Sequence, residues 1–451
     1  MSGKFNILFS SLLAALLFSA ASCADAGIPV IDSNQEAGVS SVGNTMVIYE
    51  ANPKVFASSG AFNAMNARLY DIQDLGANVL WIMPLHPIGV KNAVGSPYCV
   101  KDYKAVNPAY GTMDDFKALV QKAHSIDMKV IIDWVANHTS WDNVWIDEHP
   151  DWYTKNAAGN IISPEGMGWN DVADLNYDNK QMRSAMIAAM KFWVEEVGVD
   201  GFRCDYAEGV PADFWKEAIG AVRGIKKDAV MLAEAADVSL YRCGFDMLYG
   251  WNFQSKLADL YSGKIQVSQL YNCHTEEYSG LEAGKERMRF STNHDKAMTD
   301  GSPLSMYKGE KGAMSAFVIA VYMGGVPMIY SSQEIGYPSK LNFFETNVLD
   351  WNSNPSYTQE YQKVMSAYHQ TASNRGCKPV LYNTGNVVSI YYENGLFVIV
   401  NTTGKSVQFK APIERVGDNV VDMMTGKVET IKSAISLESY EYKISKYMTK
   451  I

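Results

Sequence analysis

GVDGFRCDYAEGVPADFWKEAIGAVRGIKKDAVMLAEAAD, residues 198–237, is the stretch on which the fold turns. Two short apolar runs, GFRCD and AVMLAEA, flank a segment with a helical pattern, and each ends near an acid. Asp205 and Glu234 lie 29 residues apart, close to the roughly 31 residues of one strand-helix unit in a barrel of about 250 residues. Working outward, MVIYE, NVLWIMP and KVIIDWV precede this unit, and FDMLY, MRFST and VPMIY follow it. Eight apolar runs alternating with helical patterns predict parallel strands closed into an α/β (β/α)8 TIM barrel.

The other acids fit the same ruler. Glu234 to Asp295 is 61 residues, two units, with FDMLY between them. Asp133 to Asp205 is 72, one unit with about 40 to spare, and the surplus is a polar segment rich in Trp that predicts a small domain inserted after the third strand, at 139–180. Asp133, Asp205, Glu234 and Asp295 are thus expected at the carboxyl ends of strands three, four, five and seven, where barrel enzymes keep their chemistry. The barrel with its insert spans 44–375. Beyond it, VVSIYYENG, LFVIVNTTG, SVQFKA and YEYKIS alternate with Gly and Asn turns and predict an antiparallel β-sandwich at 376–451.

Composition narrows the class. Of 451 residues, 47% are hydrophobic and 20% charged, which excludes a disordered or wholly membrane-embedded chain. Lys plus Arg total 39 against 49 Asp plus Glu, a net charge of −10 without a long basic run, which argues against a nucleic-acid partner. Residues 1–23 carry Lys4, an apolar stretch and then small residues up to Cys23, reading as a secretory signal with a lipoprotein box. Residues 24–43 read as a linker. This predicts an exported bacterial protein, anchored in the outer membrane by a lipid on Cys23 and facing periplasm or surface, or else secreted. The other five cysteines (Cys99, Cys204, Cys243, Cys273 and Cys377) show neither a disulfide framework nor zinc-ligand spacing.

Strand alternation puts Arg203 and Asp205 on one face and Cys204 on the other. The guanidinium should keep Asp205 ionised, as a nucleophile requires. Glu234, ending an apolar strand and facing two aspartates, should be pushed toward its protonated, acid form. Two carboxyls with separated pKa values are what glycoside cleavage needs. Asp295 adds a third carboxylate for a cationic transition state, and His294 beside it offers a neutral donor to sugar hydroxyls.

DWVANH (133–138), GFRCD (201–205), AEAAD (233–237) and STNHD (291–295) resemble, in order, the four signature regions of the α-amylase superfamily, glycoside hydrolase family 13. GVPMIYSSQE (325–334) is similar to the segment that closes the family's eighth strand, and SPYCVKDYKAVNPAYGT (96–112) to its tyrosine-bearing loop. The resemblance implies Asp205 as nucleophile, Glu234 as general acid/base and Asp295 as transition-state stabiliser. It implies that Tyr98, His138, Arg203 and His294 bind substrate or position the nucleophile, and that Asp133 and Asn137 support the site. The implied activity is retaining, endo-acting hydrolysis of α-1,4 bonds in starch-type glucans or maltooligosaccharides. An exo-acting α-glucosidase, a glucanotransferase or neopullulanase-like enzyme, and a catalytically silent glycan binder are the alternatives. No cofactor is needed for the chemistry. The resemblance leaves open a structural calcium at Asn137, Asp174 and Gly209, although Glu208 and Gly209 replace a Lys-His pair common in the family's amylases. Cys99 stands where many exo-acting relatives carry aspartate, and Ser332 replaces a glycine. Trp141, Trp145, Trp152 and Trp169 read as sugar subsites or as apolar anchors of the insert.

Overall fold

Eight parallel strands close into a barrel in the computed structural model, which describes residues 45–375, 378–382 and 385–448. They are β1 (Ile48–Ala51), β2 (Val79–Ile82), β3 (Lys129–Val135), β4 (Gly201–Asp205), β5 (Val230–Ala233), β6 (Met247–Tyr249), β7 (Glu286–Arg289) and β8 (Val326–Tyr330). Each overlaps one of the eight runs read from the sequence, although β7 begins two residues before MRFST and β1 ends one residue after MVIYE. Closure comes from β1 pairing with both β2 and β8, Ile48 opposite Val79 on one side and Met328 on the other. These strands are buried on both faces, inward against the barrel core and outward against helices, so they read as continuous apolar runs rather than as alternation. The signal, the lipoprotein cysteine Cys23, the linker at 24–43, residue 44 and Cys377 lie outside the described residues.

The helices follow from capping and from one apolar face. Met113–His124 begins in a reciprocal capping box between Thr112 and Asp115 and buries Phe116, Leu119, Val120 and Ala123. Glu310–Tyr322 differs: every residue from Gly312 onward is buried. It is covered on one side by β8 and on another by the C-terminal strand Leu396–Asn401, and a helix enclosed all round has no use for a polar face.

The C-terminal region is a six-stranded antiparallel sheet facing a two-stranded one. Period-two alternation divides its strands cleanly. Val388, Ile390, Tyr392, Leu396, Val398 and Val400 join the barrel's hydrophobic core, whereas Val387, Tyr391, Phe397 and Ile399 join a second core with Phe409 and Leu437 of the small sheet. Tyr392 Oη donates to the Tyr322 carbonyl (2.9 Å) and Tyr442 Oη to Glu360 (2.8 Å), tying the sheet to the helices beside it. Four strands that the sequence reading passed over, Val380–Leu381, Asn419–Asp422, Val428–Thr430 and Ala434–Leu437, complete the two sheets. They are only two to four residues long and, apart from Asn419–Asp422, mostly exposed, so hydrophobic periodicity had little to show.

The segment after β3 is held by a small hairpin, His138–Ser140 against Val172–Asp174. Trp152 is buried, and Trp145 packs between it and Tyr103, with ring centroids 5.2 and 4.9 Å away. These two Trp residues anchor the insert. Trp141 donates from Nε1 to the Asn170 carbonyl (2.9 Å) and so tethers the loop that carries Trp169.

Candidate active site

The carboxyl ends of β3, β4 and β5 bring Asp133, Arg203, Asp205 and Glu234 together. Asp133 lies opposite Arg203 in the β3–β4 register, and Glu234 is the residue after β5. Arg203 is completely buried. Its Nη1 donates to Asp133 Oδ1 and to Asp205 Oδ1, both at 2.8 Å, and its Nε donates to Tyr249 Oη at 2.9 Å. Nη2 lies 2.9 Å from Glu234 Oε2 but off the hydrogen-bond direction, so this contact is Coulombic. Glu234 Oε2 also accepts from the Tyr206 backbone N–H at 2.9 Å. One guanidinium thus organises three carboxyl groups, and its planar fork suits that task.

Asp295 reaches the site by another route. It lies in the first turn of the helix His294–Thr299 rather than at the end of β7, four residues having intervened after Arg289. Asn293 caps that helix by accepting from the Lys296 N–H. The Asp295 side chain is 39% exposed, against 12% for Asp205, with its Oδ2 3.4 Å from His294 Nε2. Sequence spacing placed it on the right face, and the cap moved it from strand to helix.

Electrostatics raise all three buried carboxyls, Asp133 and Asp205 to about 6 and Glu234 further. Burial raises Asp133, Asp205 and Glu234 alike, with Arg203 opposing the rise at each. Glu234 climbs to about 7, because burial is reinforced by the charges of Asp205 and Asp295. His138 goes the other way: buried, it falls to about 4 and stays neutral. His294 corrects the expectation of a neutral donor. Burial works against its charge, but Asp295 and Glu50 outweigh it and raise the ring to about 9.

Around these groups stand the other residues the sequence singled out. Tyr98 Oη is 2.8 Å from His294 Nε2 and 3.3 Å from Asp133 Oδ2, and its ring stacks on His294 at 5.6 Å. His138 follows β3, with Nδ1 3.2 Å from the Asn137 amide, and its ring meets the edge of Trp169 at 5.4 Å. Trp169 also meets Tyr206, the residue after Asp205, at 5.2 Å. Of the four inserted Trp residues it alone stands at the catalytic groups.

The departures from the family pattern have local reasons. Glu208 Oε1 accepts from the Ala236 and Asp237 N–H groups (2.5 and 2.8 Å), fastening the loop after Glu234 to the loop after Asp205. At Gly209 any Cβ would fall 2.3 Å from the Tyr206 ring and 2.6 Å from Asn137 Oδ1, so a histidine cannot occupy this backbone. The Cys99 thiol donates to Asp171 Oδ2 at 3.1 Å, holding the tyrosine loop to the insert. Ser332 has φ +124°, the region that favours glycine. For calcium, the structure brings Asn137 Oδ1 to Gly209, and Asp174 pairs with His138 across the hairpin. Among the described residues no three His, Cys, Asp or Glu side chains cluster as metal ligands, so calcium there would rely mainly on neutral oxygens.

Sequence reasoning missed four contributors. Trp81 donates to Asp133 Oδ2 (3.2 Å), Tyr249 accepts from Arg203, and Glu208 is the loop fastener described above. The fourth is Glu50, at the end of the apolar run MVIYE and fully buried, with Oε1 2.5 Å from His294 Nδ1. Its signal was an acid closing an apolar strand, the same signal that marked Glu234.

Comparison with known proteins agrees with this geometry. The family model described as alpha amylase, catalytic domain, matches residues 32–161 and 166–414. Alpha-amylase 3 of Dictyoglomus thermophilum is 27% identical over 64% of this chain and 64% of its own length. A probable oligo-1,6-glucosidase 2 of Bacillus subtilis is 29% identical over 64% of this chain and 65% of its own. The alpha-1,4-glucan:maltose-1-phosphate maltosyltransferase of Rhodospirillum rubrum is 27% identical over 70% of this chain and 50% of its own. The chain therefore spans between half and two thirds of the length of these relatives. Two solved structures match at nearly full length, covering 90% of this chain and 99% of theirs: an alpha-amylase from Lactobacillus plantarum (28% identity, TM-score 0.81) and a maltogenic alpha-amylase from Thermotoga neapolitana (26%, 0.80). With the catalytic-domain model matched over most of its length and the barrel, the C-terminal sheets and the carboxyl groups around Arg203 in place, this chain belongs to the alpha-amylase family.

Proposed function

We propose that the protein is a retaining hydrolase of α-1,4-glucosidic bonds in starch-type glucans or maltooligosaccharides, cutting within the chain. The observation that carries the reading is the single buried guanidinium holding Asp205 while the nearby Glu234 is raised to about 7. Arg203 occupies Asp205 Oδ1 and leaves Oδ2 to attack the anomeric carbon. Glu234 gives its proton to the departing glycosidic oxygen as that bond breaks. Glu234, now a carboxylate, takes a proton from water; the water oxygen bonds to the anomeric carbon and Asp205 leaves. Asp295 faces the positive charge of both transition states. His138, Tyr98 and His294 bind the ring being cleaved. Turnover then falls as pH rises through about 7, where Glu234 loses its proton, and falls at low pH, where Asp205 gains one.

Asp205→Asn tests the chemistry: it should lower hydrolysis of maltooligosaccharides by at least about 1000-fold with the fold intact by circular dichroism. Near-normal turnover would remove Asp205 from its role. Products of amylose and of an end-blocked glucan test the mode of attack, mixed short oligosaccharides meaning internal cutting and glucose alone meaning action at chain ends. A glucan transferase is a second reading, favoured by the maltosyltransferase among the relatives, and longer products from maltotriose would establish it. Starch binding without cleavage would leave a silent glycan binder.

The chemistry as proposed needs no cofactor. A structural calcium at Asn137, Asp174 and Gly209 would make the unfolding temperature fall on chelation and recover on calcium addition. We also propose an exported, lipid-anchored bacterial protein, which a diacylglyceryl group on an N-terminal Cys23 would establish and an unmodified residue there would refute.

A further inference from the structure

We propose that Glu50 is a positioning residue for this reaction: it holds His294 protonated on both ring nitrogens, so that His294 donates to Tyr98 and Tyr98 donates to Asp133, the carboxylate that also accepts from Arg203 beside Asp205. The proposal deepens the reading above and rests on it for its kinetic part.

Proton counting carries the argument. Tyr98 has one hydroxyl proton, and two neighbours stand at hydrogen-bond distance, Asp133 Oδ2 at 3.3 Å and His294 Nε2 at 2.8 Å. Asp133 is fully buried, accepts from Arg203 at Oδ1 and from Trp81 at Oδ2, and as a carboxylate has no proton to give. The Tyr98 proton therefore points to Asp133, and its oxygen accepts from His294 Nε2. Asp295 Oδ2, 3.4 Å from that same nitrogen, is a second acceptor there. On the other side of the ring, Nδ1 faces Glu50 Oε1 at 2.5 Å; burial raises the Glu50 carboxyl against the opposing pull of His294 and Arg203, and in its ionised form it too is an acceptor. With Glu50 ionised, both nitrogens carry protons.

Glu50 is placed for this and little else. It ends β1, is completely buried, and its second oxygen, Oε2, has no hydrogen-bond partner among the described residues. An acid left half-satisfied in a core is costly unless its charge is needed. The charged and titratable groups that face the ring are Glu50 from β1, Tyr98 from the loop after β2, Asp133 from β3, Arg203 from β4 and Asp295 from its own helix; Tyr330 from β8 lies within reach of Glu50's charge. Trp81 and Phe343 close on the ring by their edges at 6.1 and 4.9 Å, excluding water. Arg203 opposes a second cation here and the carboxylates support it. Of these carboxylates, only Glu50 touches Nδ1 and makes no contact with the nucleophile's arginine.

The test follows the imidazole signals of His294 by NMR against pH in the unchanged protein and in Glu50→Gln, with His294→Asn for assignment. Glutamine keeps the shape and an accepting oxygen and removes the charge. His294 should be an imidazolium at pH 7 in the unchanged protein, a measurement that stands even if the variant fails to fold. In Glu50→Gln it should lose its proton at least about one pH unit lower, with kcat at pH 7 reduced roughly tenfold and the circular dichroism unchanged. A neutral His294 in the unchanged protein overturns the proposal. So does a titration unmoved by Glu50→Gln, or one that moves while kcat stays intact. If the titration behaves as expected and the unchanged protein cleaves no glucan, the pairing of Glu50 with His294 is supported and it is the proposed reaction that fails.

Discussion

The floor of the site and its rim are built on different principles. The floor consists of strand ends around Arg203: dry, charged and over-determined, with every acid fixed by at least one short contact to the same arginine or its neighbours. The rim consists of loops from β2 and from the insert, and single contacts hold it: one thiol on Asp171, one indole N–H on the Asn170 carbonyl, and two edge contacts around Trp169. A floor of that kind fixes which bond is broken, because small displacements of reacting groups are costly. A rim of this kind sets which chains fit, and it can change without disturbing the chemistry.

The sharpest way to break this comparison is to remove the floor's cation. Arg203→Met leaves Asp133 buried without its counter-ion and should destabilise the protein by about 3–5 kcal/mol, measured by urea unfolding, with hydrolysis lost. The double variant Arg203→Met, Asp133→Leu removes the stranded charge along with the cation and should regain most of that stability while remaining inactive. If it also regained activity, the arginine would be structural only and the floor would not be the organising element described here.

The floor was legible in the sequence and the rim was not, for a physical reason. Barrel strands repeat at a near-constant spacing, so acids at the ends of GFRCD and AVMLAEA declared both their strand order and their common face. Glu50 carried the same signal in MVIYE, but one more acid at a strand end is uninformative until a partner is seen across the barrel. His294 could be named yet not given its charge, because the two carboxylates that decide it come from β1 and from its own helix, 244 residues apart in one case and adjacent in the other. At the rim, four Trp residues looked equivalent. Only folding showed that Trp145 and Trp152 fill a small core, that Trp141 ties a loop, and that Trp169 stands beside His138 and Tyr206.

That division predicts a smaller effect at the rim. Trp169→Ala should raise KM for maltohexaose by about five- to tenfold, the loss of roughly 1 kcal/mol of aromatic contact. The kcat for a short aryl glucoside should stay within about twofold, since the removed ring touches neither Asp205 nor Arg203. The product pattern from amylose should shift in chain length. A collapse of kcat on the short substrate would mean that rim and floor are one mechanical unit, and the comparison would fail.

The smallest expected effect tests whether the floor's rigidity is held at the expense of backbone strain. Ser332, buried just after β8, has φ +124°, and its N–H donates to Glu334 Oε2 (3.1 Å) while Tyr49 Oη donates to Glu334 Oε1 (2.6 Å). Tyr49 precedes Glu50 on β1, so this strained turn helps fix the strand that carries it. A non-glycine residue in such a conformation costs of order 1–3 kcal/mol, and glycine gives back up to about 1 kcal/mol through its freer unfolded chain. Ser332→Gly should therefore stabilise the protein by roughly 0.5–1.5 kcal/mol in urea unfolding with kcat unchanged. Stability that falls instead would mean that the serine side chain contributes more than its backbone costs, and the strain would have to be sought elsewhere in the floor.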